Sequence, residues 1–216
     1  MAAASPEAPR DCPLCPRLVA YREANARAEP AWFNGAAPSF GDPDAELLVV
    51  GLAPGRNGAN RTGRPFTGDY AGELLYGTLK KFGFARGEYR ADPNDGFTLE
   101  RAMITNAVRC APPENKPLPA EIAQCRPFLA ARIDALPKLR VLIALGSIAH
   151  ESVLRAHDLN PASVKFAHAA EAALPRGRTL LSSYHCSRYN TQTRRLTTEM
   201  FEAVFARAKQ RLDERG

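Results

Sequence analysis

The sequence predicts a three-layer α/β/α fold, in which helices cover both faces of a central four-stranded parallel sheet. Short apolar segments alternate four times with longer segments of helical character, and this alternation is typical of parallel sheets covered on both faces. A chain of 216 residues can bury a full hydrophobic core, so one domain over residues 1–216 is predicted. In such sheets, ligands bind at the carboxyl ends of the strands.

Four short apolar runs predict the parallel strands. In chain order they are residues 45–51, 101–109, 139–145 and 179–184. The residues that stand at or near the carboxyl ends of these runs are Gly51, Asn106, Gly146 and His185. We therefore expect these four residues, and the loops that follow them, to lie along one edge of the sheet.

The segments between the strands predict the helices and loops. Helices are expected over residues 18–28, 72–81, 119–136 and 195–211. Ser147 can cap a further helix after the third strand. The Pro and Gly content of residues 36–43 predicts a loop there.

The composition is typical of a globular protein, with 45% hydrophobic and 24% charged residues. No apolar run approaches the ~20 residues needed to cross a bilayer, and the first residues lack the pattern of a secretion signal. A cytoplasmic monomer without a membrane partner is therefore expected. The net charge of +6 favours polyanionic partners, of which nucleic acid is the commonest inside cells.

Four of the five cysteines indicate a metal centre. Cys12 and Cys15 form a C-x-x-C pair, Cys110 and Cys125 lie far downstream, and Cys186 stands apart. In a reducing cytoplasm such a set is better explained by metal binding than by disulfides. The C-x-x-C pair by itself favours zinc. Because residues 1–15 are rich in Pro and Ala, any order in them is expected to come from the metal.

Three loops at the predicted edge carry residues suited to binding a planar base. The glycines of residues 51–69, Gly51 and Gly55 among them, allow backbone N–H groups to approach a ligand closely. Phe66 can stack on a base or can be a core aromatic. The amide of Asn106 can read the edge of a pyrimidine or make a local bond, and His185 can donate to a developing anion.

Together these loops resemble the uracil-DNA glycosylase superfamily, specifically family 5 (type B) of its iron–sulfur branch. The resemblance spans about residues 12–200. It is carried by Gly51-Leu52-Ala53-Pro54-Gly55 with residues 63–69, by residues 106–117, by His185-Cys186-Ser187 and by four matching cysteines. In family 4 a Glu stands where this chain has Leu52. The last motif usually reads His-Pro-Ser, and here Cys186 replaces the proline.

The resemblance implies a [4Fe–4S] cluster that ties residues 1–15 to the rest of the domain. Its ligands would be Cys12, Cys15, Cys110 and Cys125, since thiolates are the usual ligands of such clusters. A structural zinc ion is the alternative.

The resemblance also implies a DNA glycosylase of base excision repair that acts on double-stranded DNA. Its substrates would be uracil and other deaminated or damaged bases, namely hypoxanthine, xanthine and ethenocytosine. The target base must leave the helix before its glycosidic bond is accessible. It would then stack on Phe66, pair with Asn106 and contact the backbone of Gly51 and of Ala53 to Gly55.

Two residues are expected to carry the chemistry. His185 would stabilise the departing base anion at O2, a contribution of roughly 3–4 kcal/mol in comparable sites. Asp69 would stabilise the cationic sugar or position water, although it can also cap the next helix. The residues expected to contact DNA around the flipped nucleotide are Ser187, Arg188, Tyr189 and Asn190.

Two other functions compete with this one. A non-catalytic DNA-binding protein with a structural metal centre is compatible with the missing carboxylate at Leu52. A small-molecule hydrolase is disfavoured because the chain has no G-x-S-x-G nucleophile turn.

Overall fold

In the computed structural model, which describes residues 5–214, a six-stranded sheet forms the centre of the molecule. In chain order the strands are β1 (Phe40–Gly41), β2 (Leu47–Gly51), β3 (Ala85–Arg86), β4 (Thr98–Leu99), β5 (Ala102–Asn106), β6 (Val141–Leu145), β7 (Glu171–Ala173) and β8 (Thr179–Ser183). The helices are α1 (Pro16–Ala28), α2 (Ala59–Thr62), α3 (Tyr70–Lys81), α4 (Pro119–Asp134), α5 (Ser147–Ala156), α6 (Arg188–Gln192) and α7 (Thr198–Asp213). Strands β3 and β4 form a separate antiparallel pair.

The central sheet has the strand order β1-β5-β2-β6-β8-β7. Its four inner strands are parallel, and they are the four that the apolar runs predicted. The prediction of a purely parallel four-stranded sheet was wrong at both edges, where β1 and β7 pair antiparallel with β5 and β8. These edge strands have two and three residues, which is too short to show a periodic pattern. One of them lies inside the predicted loop over residues 36–43.

Alternate residues of the inner strands point to opposite faces and build two hydrophobic cores. In β2, Leu47 and Val49 pack with residues of α3 and α7 on one face. Leu48 and Val50 pack with residues of α4 and α5 on the other. The three-layer α/β/α arrangement is therefore confirmed.

Two element ends differ from the sequence-based expectation. Gly146, not Ser147, is the N-cap residue of α5, and Ser147 makes no side-chain cap. The chain leaves β6 with Gly146 at φ +94°, a conformation that glycine adopts without steric cost. The second predicted strand ends at Asn106, three residues early, and Arg109 beyond it is buried.

The N-terminal segment is anchored by charge. Glu7 accepts hydrogen bonds from Arg109 at 2.7 Å, from Arg132, and from the backbone N–H of Ser39 at 3.0 Å. Burial raises the pKa of Glu7, but the charge of Arg109 and these hydrogen bonds hold it below its usual value. The expectation that only a metal orders residues 1–15 was therefore wrong for residues 5–15. Residues 1–4 lie outside the described residues.

None of the helices within residues 5–214 combines the length and the hydrophobicity that a membrane span requires.

Candidate active site and cysteine site

A cavity of about 390 Å³ opens at the carboxyl edge of the sheet. Residues from the loops after β2, β5 and β8, and from the start of α3, line it: Leu52, Ala53, Pro54, Gly55, Phe66, Asp69, Tyr70, Ala71, Asn106, Asn115, His185, Ser187 and Arg188. Its volume lies within the range of small-ligand sites. The three loops that the sequence singled out thus meet around one cavity.

Gly51 does not line this cavity, but its lack of a side chain leaves room for the two lining residues Asn106 and Phe66. It lies beside Asn106 in the register of β2 and β5. A Cβ atom at Gly51 would come within 2.4 Å of Asn106 Oδ1 and 2.6 Å of Phe66 Cζ. Any larger residue would therefore displace the Asn106 amide or the Phe66 ring.

Phe66 belongs both to the cavity wall and to the core. It is 7% exposed and packs in the core beside α3, which confirms the core-aromatic interpretation, while its place in the cavity wall leaves stacking on a base as a prediction. Its backbone has φ +54°, an unusual conformation for an aromatic residue. The Tyr89 hydroxyl donates to the Phe66 carbonyl at 3.1 Å, and the Tyr76 hydroxyl donates to the Pro65 carbonyl at 2.5 Å.

Asn106 lines the cavity and carries an unused hydrogen-bond acceptor. The residue is 3% exposed, and its Oδ1 atom is buried and accepts no hydrogen bond from the described residues 5–214. An unsatisfied buried acceptor costs roughly 1–3 kcal/mol. A ligand N–H group at this position would remove that cost.

Asp69 caps a helix and borders the cavity at the same time. Its Oδ1 accepts a hydrogen bond from the Gly72 N–H at 3.1 Å, which makes it the N-cap of α3. A Cβ atom at Gly58 would come within 2.5 Å of Asp69 Oδ2, so the small size of Gly58 leaves room for this oxygen. Burial raises the pKa of Asp69 above its ordinary value.

His185 lies close to Phe66, with ring centroids 5.9 Å apart and ring planes 26° from parallel. Burial lowers the pKa of His185 to about 4. The imidazole is therefore neutral at pH 7, with one nitrogen that donates and one that accepts.

Cys186 connects the His185 loop to the helix that Asp69 caps. Its side chain is fully buried, and Sγ donates to the Ala71 carbonyl at 3.6 Å. Burial raises the pKa of this thiol, which keeps it protonated and able to donate. This contact shows how the fold accommodates a cysteine at a position where the family that the sequence resembles usually has proline.

The four residues expected to contact DNA occupy different places. Ser187 and Arg188 line the cavity, and Ser187 accepts a hydrogen bond from the Asn190 N–H as the N-cap of α6. The Asn190 side chain instead donates to the His185 carbonyl at 2.8 Å. Tyr189 is 71% exposed and outside the cavity lining.

The cavity also contains Tyr70 and Asn115, which the sequence analysis did not single out. Tyr70 follows Asp69 directly, and its ring lies under the Arg188 guanidinium at 5.2 Å. Asn115 belongs to the motif over residues 106–117, which gave the only signal that could have identified it. It has φ +57°.

A second, smaller pocket is lined by all four of the cysteines that were expected to act as ligands. Cys12, Cys110 and Cys125 are buried, and Cys15 is half-buried. Two groups donate to their sulfur atoms. Arg22 Nη1 lies 3.6 Å from Cys110 Sγ, and the Arg109 N–H lies 3.2 Å from Cys125 Sγ.

The chemistry of this pocket fits a bound cation. Burial raises the pKa of Cys110 to about 11 and of Cys125 to about 12, so without a cation both thiols stay protonated. Metal binding would convert them to thiolates. Within residues 5–214, no three His, Cys, Asp or Glu side chains are arranged to hold a single metal ion.

Comparison with known families identifies the class of protein. A family model described as the uracil DNA glycosylase superfamily matches residues 38–209. The chain therefore belongs to the uracil DNA glycosylase superfamily.

The relatives within this superfamily narrow the assignment. The chain is 48% identical to a type-5 uracil-DNA glycosylase from Thermus thermophilus, over 92% of each chain. It is 39% identical to a type-5 enzyme from Mycobacterium tuberculosis, over 92% of this chain and 77% of that one. A type-4 enzyme from Archaeoglobus fulgidus is 33% identical over only 56% of this chain and 54% of its own. The resemblance to family 5 is confirmed.

Proposed function

We propose that this protein is a uracil-DNA glycosylase that hydrolyses the bond between uracil and deoxyribose and leaves an abasic site. The observation that carries the proposal is the unsatisfied Oδ1 of Asn106, which borders a cavity also lined by Phe66 and His185. The N3–H group of uracil is a donor that would satisfy this oxygen. Thymine also has an N3–H group, so uracil specificity requires the cavity wall to exclude its methyl group.

The reaction requires an extruded nucleotide, since the glycosidic bond cannot be reached inside a duplex. The everted ring would stack on Phe66 and place its N3–H group at Asn106. Breaking the C1′–N1 bond sends the electron pair to uracil and leaves positive charge on the sugar. Water then adds hydroxide to C1′, and its proton goes to the departing base.

His185 would donate a hydrogen bond to uracil O2 as negative charge develops there. A neutral imidazole is suited to this role because it donates without requiring a buried cation. Asp69 would stabilise the cationic sugar or position the water. Among the cavity-lining residues of the described chain, Asp69 is the one that carries a carboxylate. The position at which family 4 has a Glu is Leu52 here, and it offers no second carboxylate.

The same site would also determine the range of substrates and the contacts with the DNA strand. The substrate is double-stranded DNA, and the excised bases include hypoxanthine, xanthine and ethenocytosine as well as uracil. Ser187 and Arg188 contact the strand at the cavity mouth, and the exposed Tyr189 fills the gap in the base stack. The protein acts in the cytoplasm as a monomer made of a single domain.

We also propose that Cys12, Cys15, Cys110 and Cys125 hold a [4Fe–4S] cluster. Support comes from their shared pocket and from the N–H groups directed at two of the sulfurs. When bound, the cluster supplies structural cross-linking. It would join α1 to the loop after β5 and to α4.

A direct test is to incubate the protein with a duplex containing one uracil and then treat it with alkali, which breaks abasic sites. Asp69→Asn preserves the N-cap of α3 because asparagine is an equally good cap. We expect it to retain DNA binding and to lose uracil release by well over tenfold. If the wild-type protein binds the duplex and leaves no abasic site, it is a non-catalytic DNA-binding protein and the proposed function is wrong. Unchanged release by Asp69→Asn would remove only the role given to Asp69.

A further inference from the structure

We propose that Arg56 is a phosphate-binding residue that holds the DNA strand on the opposite side of the cavity from Arg188. The inference rests on the proposed function, because it takes DNA to be the ligand at this edge of the sheet. Arg56 belongs to no group of site residues described above.

The position of Arg56 places it beside the cavity. It directly follows Gly55, a lining residue in the loop after β2. Arg188 lines the cavity from the loop after β8. In the sheet, β2 and β8 are separated only by β6, so the two loops begin about 10 Å apart. A strand that places one nucleotide in the cavity has phosphates on both sides of its mouth.

The Arg56 side chain is held in place by neutral groups alone. Its Nε donates to Asn25 Oδ1 at 2.8 Å, and its Nη1 donates to Asn57 Oδ1 at 3.2 Å. The guanidinium lies over the Trp32 ring, 4.9 Å from its centroid. A cation fixed in this way has already lost most of its side-chain freedom, which lowers the entropic cost of binding an anion.

The charge of Arg56 is also free of acidic partners. Within residues 5–214, neither Arg56 nor Arg188 forms an ion pair with a carboxylate. At the opposite edge of the sheet three basic residues are paired, Arg101 and Arg140 with Glu46 and Arg176 with Asp134. Arg56 and Arg188 therefore present uncompensated positive charge at the ligand edge, as expected of a surface that contacts phosphates.

The contact with Asn25 gives the N-terminal segment a function at the cavity. Asn25 is 4% exposed and lies on α1, the helix that begins directly after Cys15. The helix that the cysteine pocket anchors thus positions a DNA-contacting side chain. This positioning requires no electron transfer by the group bound there.

The test measures binding of the protein to a labelled uracil duplex across a salt series. Each phosphate contact contributes about 0.9 to the slope of log K against log salt concentration. We expect Arg56→Gln and Arg188→Gln each to lower this slope by about one and to weaken binding about tenfold. Compared with Arg56→Gln, Arg56→Lys should restore most of the salt slope but only part of the affinity. Lysine keeps the positive charge but lacks the two parallel N–H donors of the guanidinium. Arg176→Gln is the matched control, and we expect wild-type binding from it.

Trp32 gives an independent signal because it is the only tryptophan of the chain. Saturating duplex should alter its fluorescence emission in the wild-type protein and less so in Arg56→Gln. The inference is overturned if Arg56→Gln keeps the wild-type slope and affinity while Arg188→Gln loses both. A wild-type protein that releases no uracil would instead contradict the proposed function.

Discussion

At the scale of single residues, burial shifts the pKa values of two cavity side chains in opposite directions. It lowers the pKa of His185 to about 4 and raises the pKa of Asp69 above its ordinary value. Burial disfavours whichever form is charged, so it has opposite effects on a base and on an acid. At neutral pH, His185 is therefore an uncharged donor.

This state of His185 predicts a flat pH profile. A histidine with a pKa of about 4 stays neutral from pH 6 to pH 8, whereas an ordinary one titrates near pH 6.5. Single-turnover release of uracil should therefore vary less than about twofold over that range. His185→Ala should lower the rate constant by about 10²–10³-fold and leave DNA affinity nearly unchanged. A rate that falls as the pH rises through 6.5, and whose dependence vanishes in His185→Ala, would show that the charged imidazole is required.

The sequence could indicate those site residues that stand at strand ends. Asn106 and His185 follow apolar runs, and the topology then brings them to one edge. Tyr89 supports the Phe66 carbonyl from a segment with no such signal, because its role depends on how the chain between α3 and β5 folds back. Arg56 was unremarkable in the sequence for the same reason, since its partners Asn25 and Trp32 come from distant segments.

At the scale of secondary-structure elements, the cysteine pocket joins three of them. Cys15 precedes α1, Cys110 follows β5 and Cys125 lies in α4. Removing one of the proposed ligands should therefore affect both the proposed cluster and the placement of α1.

Cys110→Ser tests the nature of the bound group. The purified wild-type protein should be brown with broad absorbance near ~400 nm, as expected of iron–sulfur centres, and the variant should lose this colour. Cys186→Ser is the matched control, because Cys186 is equally buried but lies in the core at the active site, and it should stay brown. Colourless wild-type protein with one bound zinc ion would contradict the cluster assignment.

Element prediction succeeded where the apolar runs were long. Each of the four inner strands has five residues, at least four of them buried, and runs of this kind are readable from the sequence. The edge strands and the β3–β4 pair have two or three residues each. Their pairing is decided by neighbouring strands, so local sequence carries little information about it.

At the scale of the whole molecule, one buried ion pair joins the cavity loop to the segment between α3 and β5. Arg64 donates to both oxygens of Asp95 at 2.8 Å, and the side chains are 4% and 1% exposed. Hydrogen bonding from Arg64 holds the pKa of Asp95 well below its usual range. Arg64 also donates to Thr67 at 2.7 Å, so the pair supports the loop that contains Phe66.

Breaking this pair should destabilise the protein in a pH-dependent way. Asp95→Ala leaves a buried guanidinium unpaired and should lower the free energy of unfolding by about 3–5 kcal/mol at pH 7. Because the folded pKa lies below the unfolded one, the stabilisation is complete above about pH 4 and is lost as the pH falls further. The difference between wild type and variant should therefore shrink below about pH 4.

Denaturant unfolding at pH 7 and at pH 3 measures both quantities. Asp134→Ala is the control, because its pair with Arg176 is exposed and should contribute less than about 1 kcal/mol. An Asp95→Ala variant as stable as wild type at pH 7 would contradict the role given to this pair.

The long separation between the two halves of the cysteine set has a consequence for how the protein is made. Cys12 and Cys15 leave the ribosome early, whereas Cys125 follows only after more than half of the chain. At 5–20 residues per second, the first two thiols wait roughly 10 s for their partners. Assembly of the proposed centre would therefore be a late event in biosynthesis, and a nascent chain interrupted before α4 would carry an incomplete set of the proposed ligands.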